Sequence, residues 1–461
     1  MRIRSLDIVI MAAGKGTRMK SARAKVLHRL AGKNLLQHVL DAVAGLGAAK
    51  TIVITGHGAE QVEAETTAAS NGALHFVRQT PQLGTGHAVQ QVVPHLADEG
   101  TTLILNGDVP LIAASTAAAL ATACGGEKLA LLTIELADAT GYGRIVRMGE
   151  AVTAIVEHKD ASDAQREIRE VYTGILAAPS GWLKRAVMAL SNDNAQREYY
   201  LTDIVAQAVA DGVPVVAIAA SSETEVLGVN SPVQLADLER RFQRECAHAL
   251  MEGSGVRLAD PARFDVRGTL ECGSDVEIDV GCVFEGRVTL GDGVKIGAHC
   301  VVRDARIEAG AVIHPYTHIE GATVGPGALV GPYARLRPGA ELGAEVHIGN
   351  FVEVKNSTLA RGAKANHLAY LGDTTVGERV NYGAGSITAN YDGANKHRTV
   401  IGDDVHVGSN CVLVAPITIG AGATIGGGST IAQDAPAGQL TLTRAKQVSI
   451  AGWQRPKKLA K

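Results

Sequence analysis

A glycine-rich run, Met11-Ala12-Ala13-Gly14-Lys15-Gly16-Thr17-Arg18-Met19, follows the apolar stretch Ile8-Val9-Ile10. Backbone N–H groups and the cations Lys15 and Arg18 converge at such a turn, an arrangement that suits phosphate. The run lacks the G-x-x-x-x-G-K-S/T spacing of a P-loop, and Met19 stands where the third glycine of a dinucleotide fingerprint would fall. Taken alone it fits an ordinary tight turn equally well. Further along come Lys25-Val26-Leu27, Gln82-Leu83-Gly84-Thr85-Gly86-His87-Ala88 and Asn106-Gly107-Asp108-Val109-Pro110. Asp108, next to glycine after an apolar run, is placed either to hold Mg²⁺ against a triphosphate or to turn the chain.

A second group of polar residues lies in the other half. Arg337 and Lys355 each follow an aliphatic residue, Leu336 and Val354, and are three six-residue units apart. If each unit is one side of a triangular coil, they stack about 5 Å apart and repel unless an anion lies beside them. Either a phosphate site or solvated surface charge fits that pattern. His367, in Asn366-His367-Leu368-Ala369-Tyr370, follows soon after. An imidazole that titrates near neutrality suits general-base work, and Glu353 is a candidate to orient it.

The elements that must position these groups are written in two periods. Up to about residue 230, Ile8 to Ile10, Thr51 to Thr55, Leu103 to Leu105, Leu129 to Ile134 and Val213 to Ile218 read as strands. Lys33 to Leu46 has one apolar helix face between the first two. This order predicts an α/β domain with a mostly parallel sheet and ligands at the strands' carboxyl ends. Ser231 to Met251 spaces Leu235, Leu238, Phe242, Cys246 and Leu250 as an amphipathic helix, with Pro232 suited to its first turn.

From about residue 265 the period is six. Leu290, Ile296, Val302, Ile307, Ile313, Ile319, Val324, Val330, Leu336, Leu342, Ile348 and Val354 carry it, and it returns at Ile401, Val407, Leu413, Ile419, Ile425 and Ile431. Each unit reads as a short strand and a corner, three to a coil, with the aliphatic residue inward and glycine easing the crowded corner. About nine coils would make a prism of roughly 43 Å. Gly383 to Thr399 leaves the register and reads as a loop. The expected organisation is residues 1–230, a connecting helix 231–252, and a parallel β-helix 253–461.

Composition narrows the class. A net charge of -3 argues against a general nucleic-acid binder, and the basic end from Arg455 to Lys461 reads as a solvated tail. No run approaches the ~18 apolar residues of a membrane span, and Met1 to Ile10 reads as a strand entry, not a signal peptide. Six scattered cysteines fit reduced thiols in the cytosol, and 53 glycines with 3% aromatics suit a repeat of small corners.

Residues 8 to 230 resemble the sugar-1-phosphate nucleotidyltransferases, whose signature L-x-x-G-x-G-T-x-M is followed by a lysine. Residues 8 to 456 resemble the family of bifunctional N-acetylglucosamine-1-phosphate uridyltransferases/glucosamine-1-phosphate acetyltransferases. Gly141-Tyr142-Gly143-Arg144, Val156-Glu157-His158-Lys159-Asp160, Tyr199-Tyr200-Leu201-Thr202-Asp203 and Gly228-Val229-Asn230 carry the likeness with the stretches above.

That resemblance implies a Rossmann-like uridylyltransferase domain joined by a long helix to a left-handed β-helix of hexapeptide repeats. It implies a cytoplasmic homotrimer serving cell-wall and lipopolysaccharide synthesis. Acetyl-CoA acetylates glucosamine-1-phosphate, then UTP uridylylates N-acetylglucosamine-1-phosphate and pyrophosphate leaves. Met11, Ala12, Ala13, Gly14, Lys25, Gln79, Gly84, Thr85, Asn106, Gly107 and Asp108 are then implied to meet the nucleotide. Gly143, Glu157 and Asn230 would line the sugar side, Asp108 and Asn230 would hold Mg²⁺, and Arg18 and Lys25 would neutralise phosphates. In the β-helix His367 becomes the base, Arg337 and Lys355 bind the sugar phosphate, and Tyr370 and Asn381 contact the sugar. Acetyl-CoA would meet Ala384, Asn390, Tyr391, Ser409, Gly427 and Arg444.

Four positions depart from the common family pattern. Met11 replaces leucine, Asn106 replaces a frequent tyrosine, Tyr172 replaces a sugar-binding asparagine, and Gly427 replaces a frequent alanine. Two other readings use the same layout: a single-activity nucleotidyltransferase with a structural or regulatory β-helix, and a non-catalytic assembly protein resembling exchange-factor subunits. Arg337, Lys355, His367 and Tyr370 argue against the first, and Lys25, Asp108 and Asn230 against the second.

Overall fold

The computed structural model describes residues 5–69 and 74–456. The N-terminal arginines Arg2 and Arg4, and Lys457 to Lys461 of the basic end, lie outside the described residues. The chain separates into two compact units, Met1–Phe242 and Gln243–Lys461, divided inside the helix Pro232–Ser254.

The first unit is a mixed, mostly parallel sheet covered on both faces. Its strands are β1 (Leu6–Met11), β2 (Lys50–Thr55), β3 (Leu74–Arg78), β4 (Thr101–Asn106), β5 (Leu129–Glu135), β6 (Gly143–Met148), β7 (Ala151–Val156), β8 (Glu170–Pro179) and β9 (Val215–Ala219). The order is β9-β5-β8-β4-β1-β2-β3, with β8 antiparallel to β4 and β5, and the hairpin β6–β7 hung on β8. Strands buried on both faces need apolar residues at consecutive positions, which explains Ile8-Val9-Ile10. Ile8 and Ile10 pack into one core with helix Leu35–Val43, while Val9 packs into the other with helix Thr85–Val92.

Where the strand and helix limits differ from expectation, local chemistry explains the shift. Lys33-Asn34 pairs with Arg29-Leu30 as a small hairpin, so the helix starts at Leu35. Strand β9 starts at Val215 because Pro214 cannot donate to a ladder. The strands β3, β6, β7 and β8 are additional to those read from the sequence. Register partners Met11 and Asn106 bring the carboxyl ends of β1 and β4 side by side at the sheet's ligand edge.

Helix Pro232–Ser254 begins at the proline, which lacks the N–H that a first turn leaves unused. Leu238 is buried with Leu30, Leu35 and Val229 in the first unit, and Ala247 belongs to the core of the second.

The second unit is a left-handed parallel β-helix. One face holds eleven strands, from Arg257–Leu258 to Leu440–Thr441, two more coils than the hexad count predicts. The other two faces join as one sheet because Phe264–Cys272, Cys282–Leu290 and Val301–Ile307 run round a corner without a break. Those long strands hide the hexads of the first coils.

Every aliphatic residue of the hexad series is buried, and each meets the equivalent residue a coil away: Leu290 with Ile307, Val330 with Ile348, Leu336 with Val354. The coil also continues where no aliphatic series is visible. Ala365, Tyr382 and Thr388 take inward slots, Thr388 accepting the Gly372 N–H and donating to the Gly372 carbonyl. The excursion is therefore shorter than Gly383 to Thr399, since Ile387–Ala389 is still a strand. Glycine after the aliphatic residue serves close approach: a Cβ on Gly408 would lie 2.5 Å from the Gly427 nitrogen. The positive-φ corners are shared between glycines such as Gly310 and Gly327 and residues with side chains, including His299, Tyr316, Tyr333 and Phe351, whose rings stack from coil to coil.

Candidate functional site

In the first unit two adjoining cavities open at the carboxyl edge of the sheet. The larger, about 290 Å³, is lined by Met11, Ala12, Ala13, Gly14, Lys25, Gln79, Gly84, Thr85, Asn106 and Asp108, with Gln82 and Glu198. The smaller, about 200 Å³, shares Met11, Thr85 and Asn106 and adds Gly143, Glu157, Tyr142, Tyr172 and Thr202. Gly107 backs the first wall, donating its N–H to the Met11 carbonyl at 2.9 Å. Arg18 is exposed on the single turn Thr17–Met19 and does not line either cavity.

The loops owe their positions to specific contacts. Gly16 has φ 58°, and a Cβ there would lie 2.7 Å from the Lys25 Cβ, so glycine lets the lysine stem pass. Gly84 has φ 108° and packs on the Tyr199 backbone, and Gln79 donates to its carbonyl at 2.9 Å. Thr85 Oγ1 accepts the Leu201 N–H at 3.1 Å, joining the two cavities' walls.

Lys25 pairs with the Asp108 carboxylate, and its Nζ lies 3.0 Å from Asn230 Oδ1. Asp108 and Asn230 thus direct two oxygens at one point beside the larger cavity. Hard oxygen donors of this kind fit Mg²⁺, which keeps water and phosphate for its other positions. Among the described residues no group of three His, Cys, Asp or Glu side chains gathers at a point.

Glu157 is largely buried, which lifts its carboxyl above the usual range despite a 3.1 Å hydrogen bond from Thr202 Oγ1; the charges of Asp203 and Asp160 add to the rise. Tyr172 stands in the same wall. Its ring is buried and its hydroxyl has no partner, so burial and the Glu157 charge push the phenol far up. Asn106 Nδ2 donates to the Gly174 carbonyl at 3.2 Å.

In the second unit the register decides which residues meet. Arg337 and Lys355 are stacked as the spacing predicts, because Leu336 sits over Val354. Each has a carboxylate: Arg337 donates to Glu353 at 2.8 Å, and Lys355 lies 3.5 Å from Asp373. Burial raises the Asp373 carboxyl, but hydrogen bonds from Asn356 and Asn390 and the Lys355 charge outweigh it, leaving it below its ordinary value. Lys396 joins them from the loop. The neighbouring Lys355 ammonium lowers its pKa, and Arg337 adds to the repulsion. Sequence reading missed Lys396; the signal available was its place in the one segment that leaves the register.

Glu353 does not orient His367. It lies in register with Tyr370 and is taken by Arg337, whereas the residue beside His367 a coil earlier is Asn350. Asn350 Oδ1 lies 2.9 Å from His367 Nδ1.

A single column climbs from this pair. The Gly385 N–H bonds the His367 carbonyl, the Asn410 N–H bonds Ala384, and the Gly428 N–H bonds Ser409. A Cβ on Gly426 would lie 3.6 Å from Arg444 Nη2, at the top. Ala384, Ser409, Gly427 and Arg444 therefore line one corner above His367. Asn390 is buried against Asp373, and Tyr391 is exposed with its hydroxyl donating to the Gly393 carbonyl at 2.6 Å. His367 and the cations occupy different corners of the chain, the strand Tyr370–Gly372 running between them. Asn381 lies on the same face as His367, in register with Lys364 and His406.

Residues 8–172 match the MobA-like NTP transferase domain, and 271–304, 321–356 and 398–433 match the bacterial transferase hexapeptide (six repeats). A bifunctional protein GlmU of Methylibium petroleiphilum is 78% identical over 458 residues, covering 98% of this chain and 99% of that one. Another from Albidiferax ferrireducens is 68% identical over 98% of this chain and 100% of its own. The Azoarcus sp. protein of the same name is 60% identical, again over 98% and 100%.

Proposed function

Because this chain belongs to the GlmU family of bifunctional proteins, we propose that its two sites catalyse successive steps in making UDP-N-acetylglucosamine. In the second unit the amine of glucosamine-1-phosphate attacks the thioester of acetyl-CoA. In the first, N-acetylglucosamine-1-phosphate attacks the α-phosphorus of UTP.

His367 takes the proton from the amine. Asn350 Oδ1 accepts the Nδ1–H, which leaves Nε2 free as the base. Arg337, Lys355 and Lys396 receive the sugar phosphate, and the crowding of their charges is relieved when that anion arrives. Tyr370 and Asn381 hold the sugar, while the Ala384–Arg444 column with Asn390 and Tyr391 receives acetyl-CoA. The separation of His367 from the cations within one chain supports a homotrimer in which neighbouring copies complete each site.

Uridylyl transfer rests on alignment and charge stabilisation. Met11 to Gly14, Gln79, Gly84 and Thr85 hold the nucleotide, and Gly143 and Glu157 hold the sugar. Lys25 faces the phosphates from the cavity wall, and Arg18 would approach them from the exposed turn outside it. Asp108 and Asn230 would hold Mg²⁺, which when bound neutralises charge on the triphosphate. The units are read as 1–230 and 253–461, joined by the helix between them. A cytoplasmic location is supported by the buried thiols of Cys124, Cys282, Cys300 and Cys411, none of which forms a disulfide.

The observation that carries the two-activity reading is the His367–Asn350 pair beneath the column of Ala384, Ser409 and Gly427. The test measures thiol release from acetyl-CoA with glucosamine-1-phosphate, and pyrophosphate release from UTP with N-acetylglucosamine-1-phosphate. His367→Ala is expected to abolish the first and spare the second. A well-folded chain without thiol release leaves the β-helix with a structural role.

A further inference from the structure

Arg144 is 2% exposed, among the largest fully buried side chains, and no carboxylate lies within ion-pair distance of it among the described residues. A buried cation in that state is costly, so its neutral partners must repay the loss of water. Nη1 donates to the Tyr142 carbonyl, Nη2 meets His158 Nδ1 at 3.3 Å and the Arg166 carbonyl at 3.4 Å, and Nε has no partner.

Those contacts belong to three segments, two of which supply residues to the wall of the smaller cavity. Tyr142 lies between Gly141 and Gly143, which form the rim. His158 follows Glu157, whose carboxylate faces the same space; a Cβ on Gly143 would lie 3.7 Å from Glu157 Oε1. Arg166 ends the short helix Asp163–Arg166, closed at its start by a Ser162–Gln165 capping box. Arg144 itself is on β6, in register with Val156 of β7 and Val171 of β8. Rim, carboxylate segment and helix thus share one planar cation.

We propose that Arg144 is a positioning residue for the sugar: it fixes the spacing between the Gly141–Gly143 rim and Glu157 without touching substrate. This rests on reading the smaller cavity as the sugar half of the uridylyl-transfer site. A planar guanidinium reaches several acceptors in fixed directions, and an ammonium does not. Rim and carboxylate would drift by a fraction of an ångström without it, enough to weaken sugar binding while leaving the nucleotide wall intact.

The experiment uses the full chain with Arg144→Met and Arg144→Lys. It reads KM for N-acetylglucosamine-1-phosphate and for UTP separately, together with acetyl transfer and the melting temperature. Arg144→Met should raise the sugar-phosphate KM on the order of tenfold while UTP KM and acetyl transfer stay unchanged, and Arg144→Lys should recover part of the loss. Unchanged KM for both substrates overturns the proposal, as does a parallel rise in both with a lower melting temperature. If Arg144→Met fails to fold, His158→Ala removes one of the three anchors, and an unchanged sugar-phosphate KM in that variant also overturns it. An unmodified chain that releases no pyrophosphate removes the underlying reading and the proposal together; an active chain indifferent to Arg144 removes the proposal alone.

Discussion

Asn350 and His367 are register partners on adjacent coils, and the amide oxygen of one meets the imidazole Nδ1 of the other at 2.9 Å. A neutral acceptor at that atom selects the tautomer with a free Nε2 without stabilising the imidazolium as a carboxylate would. Asn350→Ala should lower kcat for acetyl transfer by roughly tenfold or more, with little change in KM for acetyl-CoA. Asn350→Asp sets a carboxylate beside the imidazole and should move the acid limb of the kcat/KM profile to higher pH. His347, whose pKa is lowered by burial and by the charges of Lys364, His314 and His367, faces the same group and stays constant in the comparison. A profile that does not move with Asn350→Asp would show that the contact does not govern the base.

Asp108 and Asn230 aim two oxygens at the Lys25 ammonium. Asp108→Asn removes the only full negative charge of that set. Uridylyl transfer should fall on the order of a hundredfold at limiting Mg²⁺ and recover in part at high Mg²⁺. Acetyl transfer by the same preparation should be unaffected. A magnesium titration of pyrophosphate release checks both statements.

Burial raises the Glu157 carboxyl above its unfolded value. The ionised form is therefore the strained one, and its cost is present above the folded pKa and relieved as pH falls through it. Glu157→Gln should raise the melting temperature of the first unit at neutral pH, with the gain shrinking in mildly acid buffer. The same substitution should raise KM for N-acetylglucosamine-1-phosphate. Thermal melts at the two pH values, set beside initial rates, test the sign of each effect.

In the β-helix, Leu336 is fully buried and Leu329 is 36% exposed, although both lie in two-residue strands. Leu336→Ala should cost about 2–5 kcal/mol. Leu329→Ala should cost less than about 1 kcal/mol. Denaturant unfolding of the two variants measures the difference. Equal costs would mean that the inward slots do not carry the stability of the prism.

The hexads were legible because the inward slot takes an aliphatic residue at a fixed period, and Leu336 and Val354 betray both the coil and the stacking of the cations that follow them. The same rule fails where the slot holds Ala365, Tyr382 or Thr388, whose types carry no hydrophobic period of their own. Asn350 escaped notice for a related reason. Its partner is fixed by a seventeen-residue register, while Glu353 offers the more conspicuous charge. Strand β8 was hidden by Thr173-Gly174 in its middle, and Lys396 by lying outside any repeat. Lys25, Asp108 and Asn230 are far apart in sequence, and only the resemblance linked them before the sheet edge brought them together.

The excursion after Ala389 returns the chain in phase. Val376 still meets Ile401 and Thr388 still meets Leu413, as though the residues between had never been inserted. Such a segment is invisible to the stack's bookkeeping of inward slots, so its length and composition can drift without sending an error up the remaining coils. Under the proposed function, Asn390 and Lys396 could therefore be retuned to a different acyl carrier or sugar phosphate on a scaffold that never has to be rebuilt.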